Sequence, residues 1–178
     1  MYRSIKKSLV FLFALLFLYG GSLFAETQFD KIVLDAILSN ECLKIGGKYY
    51  PYFIRINGHD NFARAKKFLS LQNITWKRKV LICKEKEQCV YIAKGLIKYG
   101  IKNIDIGPYQ INYIYHPLKR ISRYFSFKES KKICNRIIQK LGKKYGYGWE
   151  TLGKYHSFKK EKNRNYYMKL YAYIYEKK

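Results

Sequence analysis

The 178-residue chain is poor in the residues that usually punctuate or decorate a multidomain protein. It has three prolines (Pro51, Pro108 and Pro117), each between periodic segments, and no Pro-rich linker, internal repeat or low-complexity block. One continuous domain is therefore expected after the N-terminal segment. Histidine is scarce and scattered (His59, His116, His156), and no two of the four cysteines form a C-x-x-C pair. Zinc-type metal binding lacks its usual spacing, and no metal or cofactor is expected. Acidic residues number 12 against 36 Lys and Arg. Long apolar runs are absent except for Leu9 to Tyr19, which is too short for a comfortable membrane span.

That run follows Arg3, Lys6 and Lys7 and precedes Gly20-Gly21-Ser22 and Leu23-Phe24-Ala25. The pattern is that of a secretory signal peptide over residues 1–25, an uncleaved anchor being the alternative. The mature part, 26–178, is expected to be soluble and exported to the periplasm, with no stable membrane span after cleavage. No Cys follows the expected cut, so no lipid-attachment site is in view.

Export changes how the cysteines are read. Cys42, Cys83, Cys89 and Cys134 are an even set, and an oxidising compartment makes two disulfides the default. Three connectivities are open. One closes Cys83 on Cys89 around the charged stretch Lys84 to Gln88 and leaves Cys42 with Cys134.

The formal charge is +24, and setting aside Arg3, Lys6 and Lys7 leaves +21. Such a surface favours polyanions. An exported protein rarely meets nucleic acid, so cell-wall polymers and anionic membrane surfaces are the better-matched partners. A solvated surface in a compositionally biased chain competes with that reading, because the basic residues are interspersed rather than massed.

Periodicity predicts a first helix from Gln28 to Glu41, capped by Thr27 with Asp30 in the capping-box position, its buried face made by Phe29, Ile32, Val33, Ala36 and Ile37. Tyr49 to Asn57 reads as extended, and a short helix follows Asp60. Lys79 to Cys83 reads as a strand and Glu87 to Tyr99 as a helix ended by Gly100. Ser126 and Glu129 open a further helix whose inner face is Ile133, Cys134, Ile137, Ile138 and Leu141. A short helix around Trp149 to Tyr155 and a last one through Tyr166, Tyr167, Leu170, Tyr171 and Ile174 complete the reading. The expected class is mainly α (α+β), with a small short-stranded β element after the first helix.

Three sites carry candidate chemistry. Glycosidic cleavage needs a carboxylic acid that is protonated near neutral pH, and desolvation and the negative end of a helix both favour the protonated form. Glu41 ends a strongly apolar helix and meets that positional description; Asp35 falls among the solvated positions of the same helix. The stretch Asp105-Ile-Gly-Pro-Tyr-Gln-Ile-Asn112 turns sharply at Gly107-Pro108 and carries two side-chain amides, Gln110 and Asn112, suited to sugar hydroxyls and N-acetyl groups. Tyr155-His156-Ser157 supplies a hydroxyl that can orient a carboxylate.

In this order the parts resemble the lytic transglycosylases of the goose-type lysozyme fold, above all the small members associated with secretion systems. In that family a helix ends in the catalytic Glu, a Pro-x-x-Ile segment follows (Pro51 to Ile54 here), and Asp-x-Gly-Leu-Met-Gln-Ile-Asn corresponds to Asp105 to Asn112. A Cys-Asn near the start of the next helix is similar to Cys134-Asn135. Tyr-Gly-x-x-Trp corresponds to Tyr145 to Trp149, and a Tyr-His-Ser motif to Tyr155 to Ser157. A downstream Asn and Tyr are similar to Asn165 and Tyr166. The likeness spans roughly Phe29 to Tyr175. It departs at Cys42-Leu43, which replaces Ser-Gly, at Pro108-Tyr109, which replaces Leu-Met, and in the longer Asn57 to Tyr99 region.

The resemblance implies a lysozyme-like helical domain that cleaves the β-1,4 bond between N-acetylmuramic acid and N-acetylglucosamine in peptidoglycan, forming a 1,6-anhydro sugar. It implies Glu41 as the acid and base, Gln110, Asn112, Tyr109 and Tyr155 around the substrate, and Tyr155 as the group that orients Glu41. It also implies service to a secretion or conjugation apparatus. A hydrolytic lysozyme, or a wall-binding or secretion-assembly protein that kept the fold without the chemistry, are the alternatives.

Overall fold

In the computed structural model, residues 28–70, 72 and 74–176 are described. The expected signal peptide (1–25), the Thr27 cap and the side chain of Phe29 lie outside them. The described residues form six α-helices, one short 3-10 helix and seven short strands, a mixed α+β arrangement. No described helix is long and apolar enough to cross a membrane.

Helix α1 spans Gln28–Glu41. Val33, Leu34, Ala36 and Ile37 are buried, whereas Ile32 is 38% exposed. The buried stripe is thus rotated from the expected one, towards Leu34. The rotation matters because Val33, Ile37 and Glu41 stand four residues apart and share a face. Glu41 therefore lies on the stripe that enters the core.

A tight hairpin follows. Strands β1 (Leu43–Ile45) and β2 (Lys48–Tyr50) pair antiparallel, Ile45 opposite Lys48, through Gly46 and Gly47, both with positive φ as a two-residue turn of this kind requires. The hairpin accounts for the residues that separate Glu41 from Pro51.

The main sheet has the order β4-β5-β3-β6-β7, with antiparallel neighbours: β3 Phe53–Ile56, β4 Thr75–Lys77, β5 Val80–Ile82, β6 Ile104–Ile106 and β7 Ile111–Asn112. Ile54, Ile56, Leu81, Ile104 and Ile106 are fully buried and make one face of the core. Helices α2 (His59–Phe68) and α3 (Lys86–Lys98) are inserted between strands. Helix α3 ends in a Schellman motif, Ile101 N–H donating to Leu96 C=O and Gly100 N–H to Ile97 C=O, with Gly100 at φ +85°.

The Cys83–Cys89 disulfide joins the end of β5 to the first turn of α3. The second expected bond is absent. Cys42 and Cys134 are free, buried thiols. Cys42 Sγ is turned towards the hairpin carbonyls of Leu43 and Tyr50, at 3.5 Å each, while Cys134 sits on the buried face of a later helix beside the Tyr155 phenol. Burial pushes the Cys42 thiol up to about 11 against the opposing pull of the Tyr50 carbonyl contact and Lys44. It pushes Cys134 further, with Tyr155 opposing and the Glu41 charge adding. Both thiols therefore stay protonated near neutral pH, and a protonated thiol is a poor nucleophile.

A 3-10 helix (Ile121–Phe125) leads into α4 (Phe127–Tyr145). Ser126 Oγ accepts from Glu129 N–H, half of the expected capping box; the Glu129 carboxylate turns instead to Arg123 at 2.9 Å. Helix α5 (Trp149–Lys154) and helix α6 (Lys160–Glu176) close the chain, α6 packing on both α5 and α1. On α6 the buried residues Asn163, Tyr166 and Leu170 recur at helical spacing. Tyr171 is 39% exposed, meets Trp149 edge-on and stacks on Tyr175.

Candidate functional site

Glu41 brings the site together. Its side chain is only 6% exposed although it ends a helix, because the Leu34–Ile37–Glu41 stripe is packed under α6 and α4. Taking a carboxyl out of water is costly unless polar groups surround it. Three elements supply those groups. The segment after α5 brings His156, whose Nδ1 lies 3.4 Å from Glu41 Oε1. Helix α6 brings Tyr166, and α4 brings Cys134.

The Tyr166 ring is stacked flat on the His156 imidazole, with centroids 4.7 Å apart and planes 4° from parallel. Burial holds the Tyr166 phenol far above its usual range, the Glu41 charge adds to this, and Cys134 and hydrogen bonding towards Glu41 contribute. Its hydroxyl nonetheless meets full hydrogen-bond geometry with no described residue.

The expected turn is the loop of the β6–β7 hairpin. Gly107 N–H donates to Phe53 C=O, which anchors the loop to β3, and Gln110 N–H donates back to Gly107 C=O. Gly107 has φ +73°, and a Cβ there would stand 2.0 Å from the Tyr124 carbonyl oxygen, so only glycine fits. Gln110 is buried with φ +45°, an uncommon conformation for a residue with a side chain. Its Nε2 donates to the Gly107 carbonyl at 2.9 Å, and its Oε1 is buried with no partner among the described residues.

Asn112, expected to support the turn as well as to meet the substrate, is engaged within the hairpin. Its Nδ2 donates to Asp105 Oδ1 at 2.7 Å and to Asn103 Oδ1 at 3.0 Å, and its Oδ1 accepts from Ile114 N–H. It braces the hairpin. Asp105 shares that role. Burial raises its carboxyl above the ordinary range, hydrogen bonds from Asn57 and Asn112 oppose this, the Glu41 charge adds to it, and Arg55 opposes it.

Tyr155 also differs from expectation. Its hydroxyl donates to the Tyr109 backbone carbonyl at 2.6 Å and so holds the turn instead of the carboxyl. Tyr155 remains within electrostatic reach of Glu41, Cys134 and Tyr166, and burial above all pushes its phenol far up. Tyr109 itself is buried, with its side chain against the edge of a groove.

That groove, of about 440 Å³, is lined by Asp35, Leu38, Tyr49, Tyr109, Phe127, Lys128 and Lys131. Asp35, expected among solvated positions, is half-buried in it. Glu41 does not line the groove; Asp35 and Leu38 of the same helix and Tyr109 of the turn do. Asn163, which sequence reasoning missed, fastens the segment carrying His156: its Nδ2 donates to the Ser157 and Glu150 carbonyls. The α6 spacing of Asn163, Tyr166 and Leu170 was the available signal.

Glu41, His156 and Tyr166 thus converge, and Tyr155 links them to the Tyr109–Gln110 turn. No family model, curated protein or solved structure matches this chain.

Proposed function

We propose that this chain is an exported, lysozyme-like peptidoglycan lytic transglycosylase acting in the periplasm. The observation that carries the reading is the enclosed Glu41 carboxyl at the end of α1, the helix whose Asp35 and Leu38 line a groove shared with Tyr109 of the amide-bearing turn. The Cys83–Cys89 disulfide accords with export.

In the proposed reaction Glu41 donates its proton to the glycosidic oxygen between N-acetylmuramic acid and N-acetylglucosamine. The C1–O4 bond breaks and its electron pair stays with O4. The Glu41 carboxylate then accepts the C6 hydroxyl proton as O6 bonds to C1. The 1,6-anhydro product forms, no water is consumed and Glu41 regains its proton. One carboxyl serves both steps, whereas ordinary retaining or inverting hydrolysis uses two. The groove lysines, Lys128 and Lys131, suit the carboxylates of an attached peptide. The resemblance to small family members supports a role in opening the wall for a secretion or conjugation apparatus.

A hydrolytic lysozyme is the second reading. Digestion of purified sacculi with mass analysis separates the readings. Anhydro ends support the transglycosylase, and reducing ends support hydrolysis. Undigested sacculi support a non-catalytic wall-binding protein. Glu41→Gln should abolish release; undiminished release from that variant would remove Glu41 from the chemistry.

A further inference from the structure

We propose that His156 is the positioning residue of Glu41, an inference that rests on the enzymatic reading above. The groups around the Glu41 carboxyl are not alike. Tyr155, Tyr166 and Cys134 are all pushed up by burial and stay neutral near neutral pH. Asp105 is occupied by Asn112. His156 alone among these stands at ion-pair distance, and its side chain is 39% exposed where Glu41 is 6% exposed.

The imidazole is itself held. Its plane is set by the parallel stack on Tyr166. Its backbone N–H donates to Gly153 C=O, and the next residue is fastened twice, Ser157 N–H to Gly153 and Ser157 C=O to Asn163. Gly153 leaves no slack, since a Cβ there would stand 2.3 Å from Asn163 Oδ1. A ring fixed in plane and backbone can fix what it touches.

Nδ1 faces Oε1, so proton transfer to and from substrate runs through the other carboxyl oxygen. His156 thereby selects the oxygen and the torsion of the acid. Orientation of this kind acts on the chemical step more than on substrate capture.

The test uses the mature protein and sacculi fragments of defined length, comparing wild type, His156→Ala and His156→Asn. The Asn Nδ2 occupies nearly the place of Nδ1. His156→Ala should lower kcat about 100-fold with KM changed by less than about twofold. His156→Asn should recover about tenfold of that loss. Urea midpoints of both variants serve as the folding control. A second readout needs no substrate: the ¹⁵N resonance of His156 Nδ1, assigned by its absence in His156→Ala, should move in Glu41→Gln. An unmoved resonance, unchanged kcat in His156→Ala, or Asn performing no better than Ala would each overturn the role. Digestion by wild type with full activity in His156→Ala overturns this inference alone. Wild type that leaves sacculi intact overturns the enzymatic reading and this role with it.

Discussion

Tyr155 and Tyr166 are both buried phenols beside Glu41, yet removing their hydroxyls should have opposite consequences. Tyr155→Phe deletes a 2.6 Å hydrogen bond and leaves the Tyr109 carbonyl without that donor in a buried turn. Orphaning a buried acceptor costs about 1–3 kcal/mol. A domain of this size loses about 2–4 °C per kcal/mol, so the melting temperature should fall by roughly 2–12 °C. Tyr166→Phe deletes a hydroxyl that meets no full hydrogen-bond geometry. Relieving an unpartnered buried polar atom offsets the lost contact, and the stability change should stay within about 0.5 kcal/mol.

Activity should sort differently. The Tyr166 hydroxyl faces the carboxyl and Tyr155 holds the turn, so Tyr166→Phe should slow sacculus digestion about tenfold or more at nearly native stability. Thermal melts by circular dichroism and the digestion rate are the two measurements. Equal destabilisation by the two variants would refute the assignment of Tyr155 to the turn and Tyr166 to the carboxyl.

Gly107→Ala forces a Cβ into the Tyr124 backbone at φ +73°, and left-handed strain of about 1–2 kcal/mol plus overpacking of about 1–3 kcal/mol should lower the urea midpoint sharply. A change below about 0.5 kcal/mol would show that the turn yields freely. Replacing Cys83 and Cys89 together by Ala opens a loop of sequence separation 6 and should cost about 2 kcal/mol in urea unfolding; no difference from the oxidised protein would remove the bond from the stability account. Asp105→Asn tests pH linkage. Burial chiefly raises the folded Asp105 carboxyl, so the native state binds more proton than the unfolded chain just above the ordinary Asp range. Stability conferred below the unfolded value, about pH 4, is then lost as pH rises through the folded one. The Asn variant cannot ionise, so its stability relative to wild type should increase from about pH 4 upward. A constant difference across that range would contradict the raised carboxyl.

Helix α1 was legible to its ends because Val33, Ala36 and Ile37 recur at helical spacing, but its phase was not. Ile32 and Leu34 are equally apolar, and only packing under α6 decides which one is covered. The cap at Ser126 and the Gly100 stop were legible because each rests on local backbone chemistry. The β1–β2 hairpin was missed despite Gly46-Gly47 between apolar residues, a local signal overlooked. The three-residue strands β4 and β6 and the two-residue β7 are too short to show alternation; they exist through pairing with β5, β3 and β6 respectively. Among the candidate site residues, Glu41 and Gln110 stood out in the sequence as polar side chains at a helix end and in a turn, and both are buried. The partner of the Tyr155 hydroxyl was not, because Tyr109 lies 46 residues away and nothing local signals the contact. The free state of Cys134 was equally invisible, since an even cysteine count carries no direction for a thiol.

The Tyr155–Tyr109 contact also bears on how the two halves of the site act together. Glu41 and Tyr166 belong to helices and His156 to the segment between α5 and α6, whereas Gln110 belongs to a hairpin anchored through Gly107 on Phe53 of the sheet. In the proposed reaction, a substrate held by the turn and a proton delivered by the carboxyl must keep a fixed separation, and misplacement by about 1 Å is costly to rate. Loops alone hold such distances poorly. Here the same three-residue segment, Tyr155 to Ser157, touches both halves: one residue clamps the turn, the next meets the carboxyl, and Asn163 fastens the third. Any shift of that segment therefore moves clamp and carboxyl partner together, which preserves their relation.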